Sequence, residues 1–253
     1  DLAGKTVLLW GEQGLGDTLQ FVRYAPLVAE KAARVIVECN PILHGLIADM
    51  SGVDDVVDLD DGDNYDLHLP LMSLPLKFAA DGTPDQFPYL SPPPAVDLGA
   101  KAGLRVGLNW AGNPDHARDR ERSRLLSEFT PLATIPNIDF YSLQVGPAAA
   151  QLADTTMQIT DLATGFKTMS DTAAAMQALD LVISIDSAPA HLAGALGLPI
   201  WVLLTKVPDW RWGLENETTP WYPSMRIFRD RTGWDDVFVR VAAALAEFAP
   251  DKR

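Results

Sequence analysis

The chain has 253 residues, a single cysteine (Cys39) and a formal net charge of −14 at pH 7. One cysteine excludes an internal disulfide and a Cys-based zinc site. The acidic balance argues against nucleic acid or anionic lipid as a bulk partner, because phosphate groups attract basic surfaces. No stretch reaches the ~20 apolar residues of a membrane span, and no signal peptide is recognisable. We therefore expect a cytoplasmic protein without a membrane span, and the start at Asp1 suggests a piece of a longer chain.

The first part of the chain alternates short apolar runs with amphipathic helical stretches. This alternation is typical of βα units around a mainly parallel sheet. Strands are predicted over 6–10, 34–38, 53–59 and 65–69, and helices over 17–31 and 41–50.

A proline-rich stretch follows and interrupts this pattern. Because proline lacks an N–H and disrupts helices and central strands, the stretch is predicted to be an interdomain linker. Its prolines are Pro84, Pro88, Pro92, Pro93 and Pro94.

The rest of the chain shows a second α/β series. Strands are predicted over 105–110, 139–144, 181–185, 199–204 and 225–228, and helices over 172–179, 189–196 and 235–248. The fold class predicted from this order is α/β, with two tandem Rossmann-like domains, 1–95 and 96–253, and a cleft between them. We allow for the last helix packing back on the first domain. Ligands of such sheets bind at the carboxyl ends of the strands.

A glycine turn with the sequence GEQGLGDT directly follows the first predicted strand. It nearly matches the phosphate-binding loop pattern, but Asp17 occupies the lysine position, and a carboxylate there would repel phosphate. Two interpretations of Asp17 remain: it caps the following helix, or it faces the cleft as a general base.

A second candidate is the segment IDSAPAHLAG after the most apolar strand. Ser187 occupies an N-cap position and Pro189 the first turn of the helix, so this helix start could offer free amides to an anion. His191 lies one turn further on. The alternatives are that Ser187 is only a cap and His191 only a core residue.

Two further segments carry candidate donor-binding residues. Asn109 and Trp110 precede a glycine turn, and a cluster of arginines follows, of which Arg122 with neighbouring Ser123 is the favoured diphosphate clamp. A dense aromatic loop begins at Trp210, Arg211 and Trp212 and suits stacking on a sugar or base. The alternatives are a solvated loop for the first and a hydrophobic cluster for the second.

Two apparent metal signals are rejected. The carboxylates of Asp58 to Asp63 fail the calcium-loop pattern because the glycine is misplaced, so this segment is predicted to be a charged turn. His44, His68 and His116 lack the spacing of a metal-binding pair. No metal or cofactor is expected.

In combination, Gly14, Gly16 and Asp17 near the start and Asp186, Ser187, Ala188 and His191 later resemble the motifs of heptosyltransferase-like glycosyltransferases. The chain is especially similar to the catalytic region of bacterial glycosyltransferases that carry N-terminal tetratricopeptide repeats. Ala188 stands where heptosyltransferases usually have glycine.

This resemblance implies a B-type glycosyltransferase fold, with the acceptor on the first domain and the nucleotide-sugar donor on the second. It also implies metal-independent, inverting transfer with Asp17 as the base, onto a protein or glycan acceptor such as flagellin. Asp186, Ser187, Ala188 and His191 match its donor motif. Two alternatives stay open: a weakly active module that binds a nucleotide sugar or a protein, and a sugar-nucleotide epimerase.

Overall fold

A computed structural model describes residues 1–61, 64–78, 86–91 and 93–248 of the chain. Pro84 and Pro92 of the predicted linker, and the end of the predicted charged turn at Asp63, lie outside the described residues.

The first sheet has four parallel strands. In chain order they are β1 (Thr6–Trp10), β2 (Arg34–Glu38), β3 (Asp55–Val57) and β4 (Leu67–Pro70), arranged across the sheet as β3-β2-β1-β4. The interiors of β1 and β2 are buried apolar runs, as expected for parallel strands covered on both faces. The helices of this part are α1 (Leu15–Phe21), α2 (Ala25–Ala29), α3 (His44–Ile47) and α4 (Leu74–Lys77).

The second sheet has six parallel strands in the order β10-β9-β8-β5-β6-β7. These strands are β5 (Leu104–Asn109), β6 (Ile138–Ser142), β7 (Ile159–Asp161), β8 (Leu181–Ile185), β9 (Ile200–Leu204) and β10 (Met225–Arg229). Four α-helices accompany them: α5 (Asp119–Arg122), α6 (Met169–Gln177), α7 (Ala188–Ala195) and α8 (Trp234–Glu247). Two parallel sheets with helices confirm the predicted α/β class.

In each sheet the strand order reverses beside the strand that comes first in the chain. β1 lies between β2 and β4, and β5 lies between β6 and β8, so successive strands are added on opposite sides. At such a switch point the loops leaving the two adjacent strands diverge and open a crevice at their carboxyl ends. The loops after β1, β5 and β8 carry the motifs selected from the sequence.

The larger hydrophobic core belongs to both sheets. It joins Leu9 and Phe21 of the first part to Leu192 and Trp212 of the second. The packing of α1 against α7 forms part of this shared core. A second core lies within the second part, where Phe238 of α8 packs edge-on against Phe129 at a ring distance of 4.8 Å.

Three expectations about these elements need correction. The single helix predicted over 17–31 is divided into α1, a 3-10 turn at Val22–Tyr24 and α2, with Pro26 in the first turn of α2 because proline is tolerated there and not in a helix interior. The last helix packs on the second sheet and the 3-10 segment Leu126–Thr134, instead of on the first domain. The strand β7 and this 3-10 segment were not predicted.

The described part of the proline-rich stretch is packed against the second sheet's helices. The amide groups of Tyr89 and Leu90 both donate to the carbonyl of Ala195, and both side chains are buried. The stretch therefore anchors the two parts to each other, while the boundary between residues 95 and 96 stays a prediction. Among the described residues, no helix combines the length and apolar character needed to span a bilayer.

Candidate active site between the two sheets

A cleft of about 920 Å³ lies between the carboxyl ends of the two sheets. One wall comes from the loop after β1 and the start of α1, and the opposite wall from the loops after β5 and β8 and from residues near Trp210. Of the residues selected from the sequence, those lining the cleft are Gly14, Gly16, Asp17, Asn109, Arg122, Asp186, Ser187, Ala188, His191, Trp210 and Arg211. Trp110, Ser123 and Trp212 are not among its lining residues.

Asp17 faces the cleft from the third position of α1. One carboxylate oxygen accepts a hydrogen bond from the amide of Gly14 at 3.0 Å, which supports the helix start. The other accepts from the Arg211 guanidinium at 2.6 Å, across the two parts of the molecule. Both interpretations of Asp17 are thus compatible with its position, because it stabilises the helix start and presents a carboxylate to the cleft.

Arg211 is held by a short 3-10 turn at Trp210–Trp212. Asp209 begins this turn, where its carboxylate accepts from the Arg211 amide at 3.1 Å and lies 3.2 Å from the guanidinium Nε. The side chain is only 9% exposed. Arg211 therefore places a fixed positive charge between the carboxylates of Asp17 and Asp209, at the edge of the cleft.

Asp186 is the first residue after β8. Its carbonyl accepts from Arg122 at 3.1 Å, and its carboxylate lies 3.9 Å from Nε2 of His191. Burial of the carboxyl raises the pKa of Asp186, while the nearby Arg211 and Arg122 act in the opposite direction. Among the acidic residues of the cleft, Asp17 and Asp186 thus lie in different settings, since Asp17 is ion-paired and Asp186 is largely buried.

The start of α7 opens toward the cleft. Ser187 occupies the predicted N-cap position, but its hydroxyl donates to Asn109 at 2.8 Å and makes no capping bond to the helix. In the first turn Pro189 has no N–H and the Ala190 amide donates to the Ser187 carbonyl at 2.9 Å, which leaves the Ala188 amide without an intrahelical acceptor. Because the Ser187 side chain is directed away from this amide and Ala188 is small, an anion in the cleft can approach this helix start.

His191 is buried in the next turn of α7. Its ring lies 5.3 Å from the Trp212 ring and its Nδ1 is 2.9 Å from the Tyr222 hydroxyl. Burial, and then the positive charges of Arg211, Arg23 and Arg122, hold the pKa of His191 well below its usual value of 6.5. The imidazole is therefore neutral at physiological pH.

Gly16 allows the two helix starts to meet. A Cβ atom at Gly16 would lie 2.8 Å from the His191 ring and 3.6 Å from the Cα of Ala188. A contact of 2.8 Å is closer than carbon atoms tolerate, so any side chain would push α1 and α7 apart. The second glycine of the GLG sequence is accordingly explained by close packing between the two parts.

The arginine cluster divides into side chains that reach the cleft and side chains that do not. Arg122 lines the cleft and packs so closely over Gly112 that a Cβ there would lie 2.7 Å from its Nη2. Ser123 accepts from the Gly112 amide at 2.9 Å and donates to Asp119 at 2.8 Å. The clamp interpretation therefore fits Arg122 but not Ser123, which supports the glycine turn from behind.

The predicted donor contacts of Asn109 and Trp110 are not supported. Asn109 is 2% exposed; its oxygen accepts from Ser184 and Ser187, and its nitrogen donates to Gln144 and Ala111. All four of its hydrogen-bonding positions are thus used within the protein. Trp110 is fully buried in the second core. Both residues shape the end of β5, where Asn109 lines the cleft with its polar groups already paired and Trp110 lies behind it.

The aromatic loop also divides into exposed and buried rings. Trp210 is 63% exposed at the edge of the cleft, with its ring stacked over Phe21 at 6.5 Å. Trp212 is 2% exposed and packs behind His191. Of these two rings Trp210 is the one exposed for stacking on a ligand, whereas Trp212 is not among the lining residues and its predicted role as a pocket wall stays a prediction.

Sequence reasoning missed two side chains that organise this site. Gln144 follows β6, and its oxygen accepts from the amides of Trp110 and Ala111. The Tyr222 hydroxyl forms a hydrogen bond with His191, although the two residues lie 31 positions apart in the sequence. The signal for Gln144 was its position at the end of the strand predicted over 139–144, and the signal for Tyr222 was its place in the aromatic loop.

No group of three or more His, Cys, Asp or Glu side chains in the described ranges could hold a metal ion. The His44 ring does approach the Asp58 carboxylate at 3.4 Å, but this pair lies outside the cleft.

The buried, neutral imidazole of His191 predicts a pH-dependent stability. Unfolded chains bind a proton at His191 below about pH 6.5, whereas the folded chain does not, so the free energy of unfolding should fall as the pH falls below this value. One such group contributes about 1 kcal/mol per pH unit. Urea unfolding from pH 7.5 to 5.5 should show this slope in the wild type and a smaller slope in His191→Gln.

The control variant for this measurement is His116→Gln, which alters an exposed histidine. It should keep the wild-type slope. Equal slopes in all three proteins would show that His191 is not held neutral by the fold.

With the geometry described, the chain can be compared with known proteins. No family model matches it. Protein FlbA of Caulobacter vibrioides is 30% identical over 291 residues, which cover 98% of this chain and 48% of FlbA. The chain thus spans about half the length of this curated relative.

Three solved structures are similar across most of this chain. Escherichia coli ADP-heptose lipopolysaccharide heptosyltransferase II matches with a TM-score of 0.64 and 15% identity, over 96% of this chain and 98% of the other. A glycosyl transferase of family 9 from Veillonella parvula matches with a TM-score of 0.61 and 13% identity, over 99% and 91%. The iron-containing dodecameric heptosyltransferase TibC, in complex with ADP-D-β-D-heptose, matches with a TM-score of 0.56 and 11% identity, over 93% and 65%.

At identities of 11–15% these structures establish the fold and not the activity. Their coverage includes both sheets and the cleft between them. The chain therefore has the heptosyltransferase-like, B-type glycosyltransferase fold that its motifs predicted.

Proposed function

We propose that this chain transfers a sugar from a nucleotide-activated donor to a hydroxyl group of an acceptor. The observation that carries the proposal is the meeting of two helix starts across one cleft. The start of α1 presents the carboxylate of Asp17, and the start of α7 presents the Ala188 amide beside Arg122. A base and an anion-binding site on opposite walls are what displacement of a nucleotide from a sugar requires.

In this mechanism Asp17 accepts the proton of the acceptor hydroxyl. The hydroxyl oxygen attacks the anomeric carbon of the donor sugar, and the bond from that carbon to the phosphate oxygen breaks. The start of α7 and Arg122 stabilise the charge on the departing phosphate. Attack and departure on opposite faces of the carbon invert its configuration.

The arginines supply the positive charge that the phosphates need in this proposal. Arg118, Arg122 and Arg211 all line the cleft, although the chain as a whole is acidic. In the ligand-free protein each arginine pairs with a carboxylate, namely Glu121, Asp119 and Asp17 respectively. A donor diphosphate would replace these partners, so the proposed reaction has no step that needs a metal ion.

The nature of the donor and acceptor is part of the proposal. One of the similar proteins is an ADP-heptose heptosyltransferase and another was solved in complex with ADP-D-β-D-heptose, which makes ADP the first nucleotide to test. We propose a protein acceptor, as the motif resemblance to repeat-containing glycosyltransferases implies. A cytoplasmic location and recognition of the acceptor by tetratricopeptide repeats stay predictions.

Thermal unfolding with a panel of nucleotides tests the donor site. A ligand at 100 times its dissociation constant stabilises the native state by about 2.7 kcal/mol, which should raise Tm by about 5–10 °C. The panel should contain ADP, UDP, GDP and CMP, because a monophosphate as the best ligand would indicate a different donor class.

The matched variants for this test are two neighbouring arginines. Arg122→Gln should reduce the shift because Arg122 lines the cleft, whereas Arg120→Gln should preserve it because Arg120 is exposed and outside the lining. Absence of any shift would contradict the proposal. Binding without turnover of the matching nucleotide sugar would favour a binding module, and turnover without an acceptor would favour an epimerase.

A further inference from the structure

We propose that Tyr222 is a positioning residue for the nucleotide-sugar site. Its hydroxyl group forms a hydrogen bond with Nδ1 of His191, which leaves Nε2 as the ring nitrogen that can contact the nucleotide sugar. The inference rests on the proposed sugar transfer. Tyr222 lies behind the cleft and does not line it, and its contact with a lining residue of the donor site is the hydrogen bond to His191.

The contact between the two rings is specific. The Tyr222 hydroxyl lies 2.9 Å from Nδ1 of His191, and the rings meet edge to face at 5.7 Å. Tyr222 is fully buried and His191 is 2% exposed, so water cannot readily replace either partner. On the far side of the imidazole, Nε2 points to the Asp186 carboxylate at 3.9 Å, which is too long for a hydrogen bond.

The fold holds Tyr222 in this position from two sides. A Cβ atom at Gly194 of α7 would lie 2.4 Å from Cδ1 of the tyrosine ring, so the ring occupies the space that a side chain would need. The guanidinium of Arg23, from the first part of the chain, lies 4.9 Å from the centre of the same ring. Tyr222 is thus clamped between α7 and a cation from the other part.

Burial and nearby positive charges keep the imidazole neutral. Burial first, and then the charges of Arg211, Arg23 and Arg122, hold the pKa of His191 well below its usual value, and Asp186 is the acidic group that faces the ring. A neutral imidazole donates at one nitrogen and accepts at the other. Whichever role Nδ1 takes in its hydrogen bond with the Tyr222 hydroxyl, Nε2 takes the opposite role toward the nucleotide-sugar donor.

Removal of one oxygen atom, in Tyr222→Phe, tests this assignment. Heteronuclear NMR of the imidazole nitrogens reports which nitrogen carries the proton, and the His191 signals are those lost in His191→Gln, one of four histidines. In the wild type we expect one tautomer throughout about pH 5.5 to 8. In Tyr222→Phe we expect averaged tautomers and an affinity for ADP that is lower by about fivefold or more.

A second variant and a control complete the test. Gly194→Ala displaces the tyrosine ring but keeps its hydroxyl group, and should change the His191 signals in the same way. Tyr65→Phe alters an exposed tyrosine beside another histidine, His68, and should leave both tautomer and affinity unchanged.

An unchanged single tautomer together with an ADP affinity within about twofold of wild type in Tyr222→Phe would overturn the inference. An altered tautomer with unchanged affinity would also overturn it, because His191 would then have no role in donor binding. Absence of binding by ADP and every other nucleotide to the wild type would instead contradict the proposed function, since the tautomer measurement requires no ligand.

Discussion

Replacing Asp17 with Asn should lower the rate of sugar transfer by about 10²- to 10⁴-fold, which is the usual contribution of a general base. An amide cannot take the proton of an attacking hydroxyl at neutral pH. The amide oxygen can still accept from the Gly14 amide, so the start of α1 should be preserved. The rate is measured with the nucleotide sugar that corresponds to the most stabilising nucleotide.

Nucleotide binding separates this effect from general damage to the site. Loss of the carboxylate frees Arg211 from its 2.6 Å ion pair, so the affinity for the nucleotide should stay the same or increase. The control is Asp115→Asn, an exposed carboxylate at the edge of the same cleft. If Asp17→Asn retained most of the wild-type turnover, another group would have to be the base.

Replacing Arg23 with Ala should lower the free energy of unfolding by about 3 kcal/mol or more. Arg23 is 2% exposed and donates to the carbonyls of Gln20 and Trp221 and to the hydroxyl of Tyr89. Alanine would leave these buried acceptors unpaired and open a cavity. Four aromatic rings surround the guanidinium at 4.5–5.7 Å, those of Phe87, Tyr89, Trp221 and Tyr222.

Urea unfolding should show this loss as a lower midpoint. Arg23→Lys should also destabilise the protein, because an ammonium group cannot reproduce the planar fork of donors. Arg34→Ala is the control, since its ion pair with Asp55 is about half exposed and such pairs contribute ~1 kcal/mol at most. A midpoint for Arg23→Ala equal to that of the control would show that the aromatic cage does not join the two parts of the molecule.

Local patterns in the sequence predicted most of the fold. The strands β1, β2 and β8 begin and end at the predicted residues, because each has a run of apolar residues in its interior. The helix after β8 was recognised from Ser187 and Pro189 at its start. A single helix was predicted over 17–31, and its interruption was missed. The apolar spacing continues through the segment that contains Pro26, so the pattern gave no sign of a break.

Side chains at the ends of parallel strands were also predictable as site residues. Asp17, Asp186 and Arg122 reach the cleft because the loops after β1, β5 and β8 meet at the carboxyl edges of their sheets. For aromatic and amide residues the same reasoning failed. Burial of Trp110 and exposure of Trp210 depend on which neighbours cover them, and both look alike in the sequence.

The residue pattern of this chain thus specifies its strands, its two parallel sheets and the polar groups at their edges, because these depend on hydrophobic period and on neighbouring residues. The pairing of Asp17 with Arg211, the contact of Tyr222 with His191 and the cage around Arg23 join residues 31 to 199 positions apart. Such contacts arise when the two sheets pack together, since packing decides which distant side chains become buried side by side.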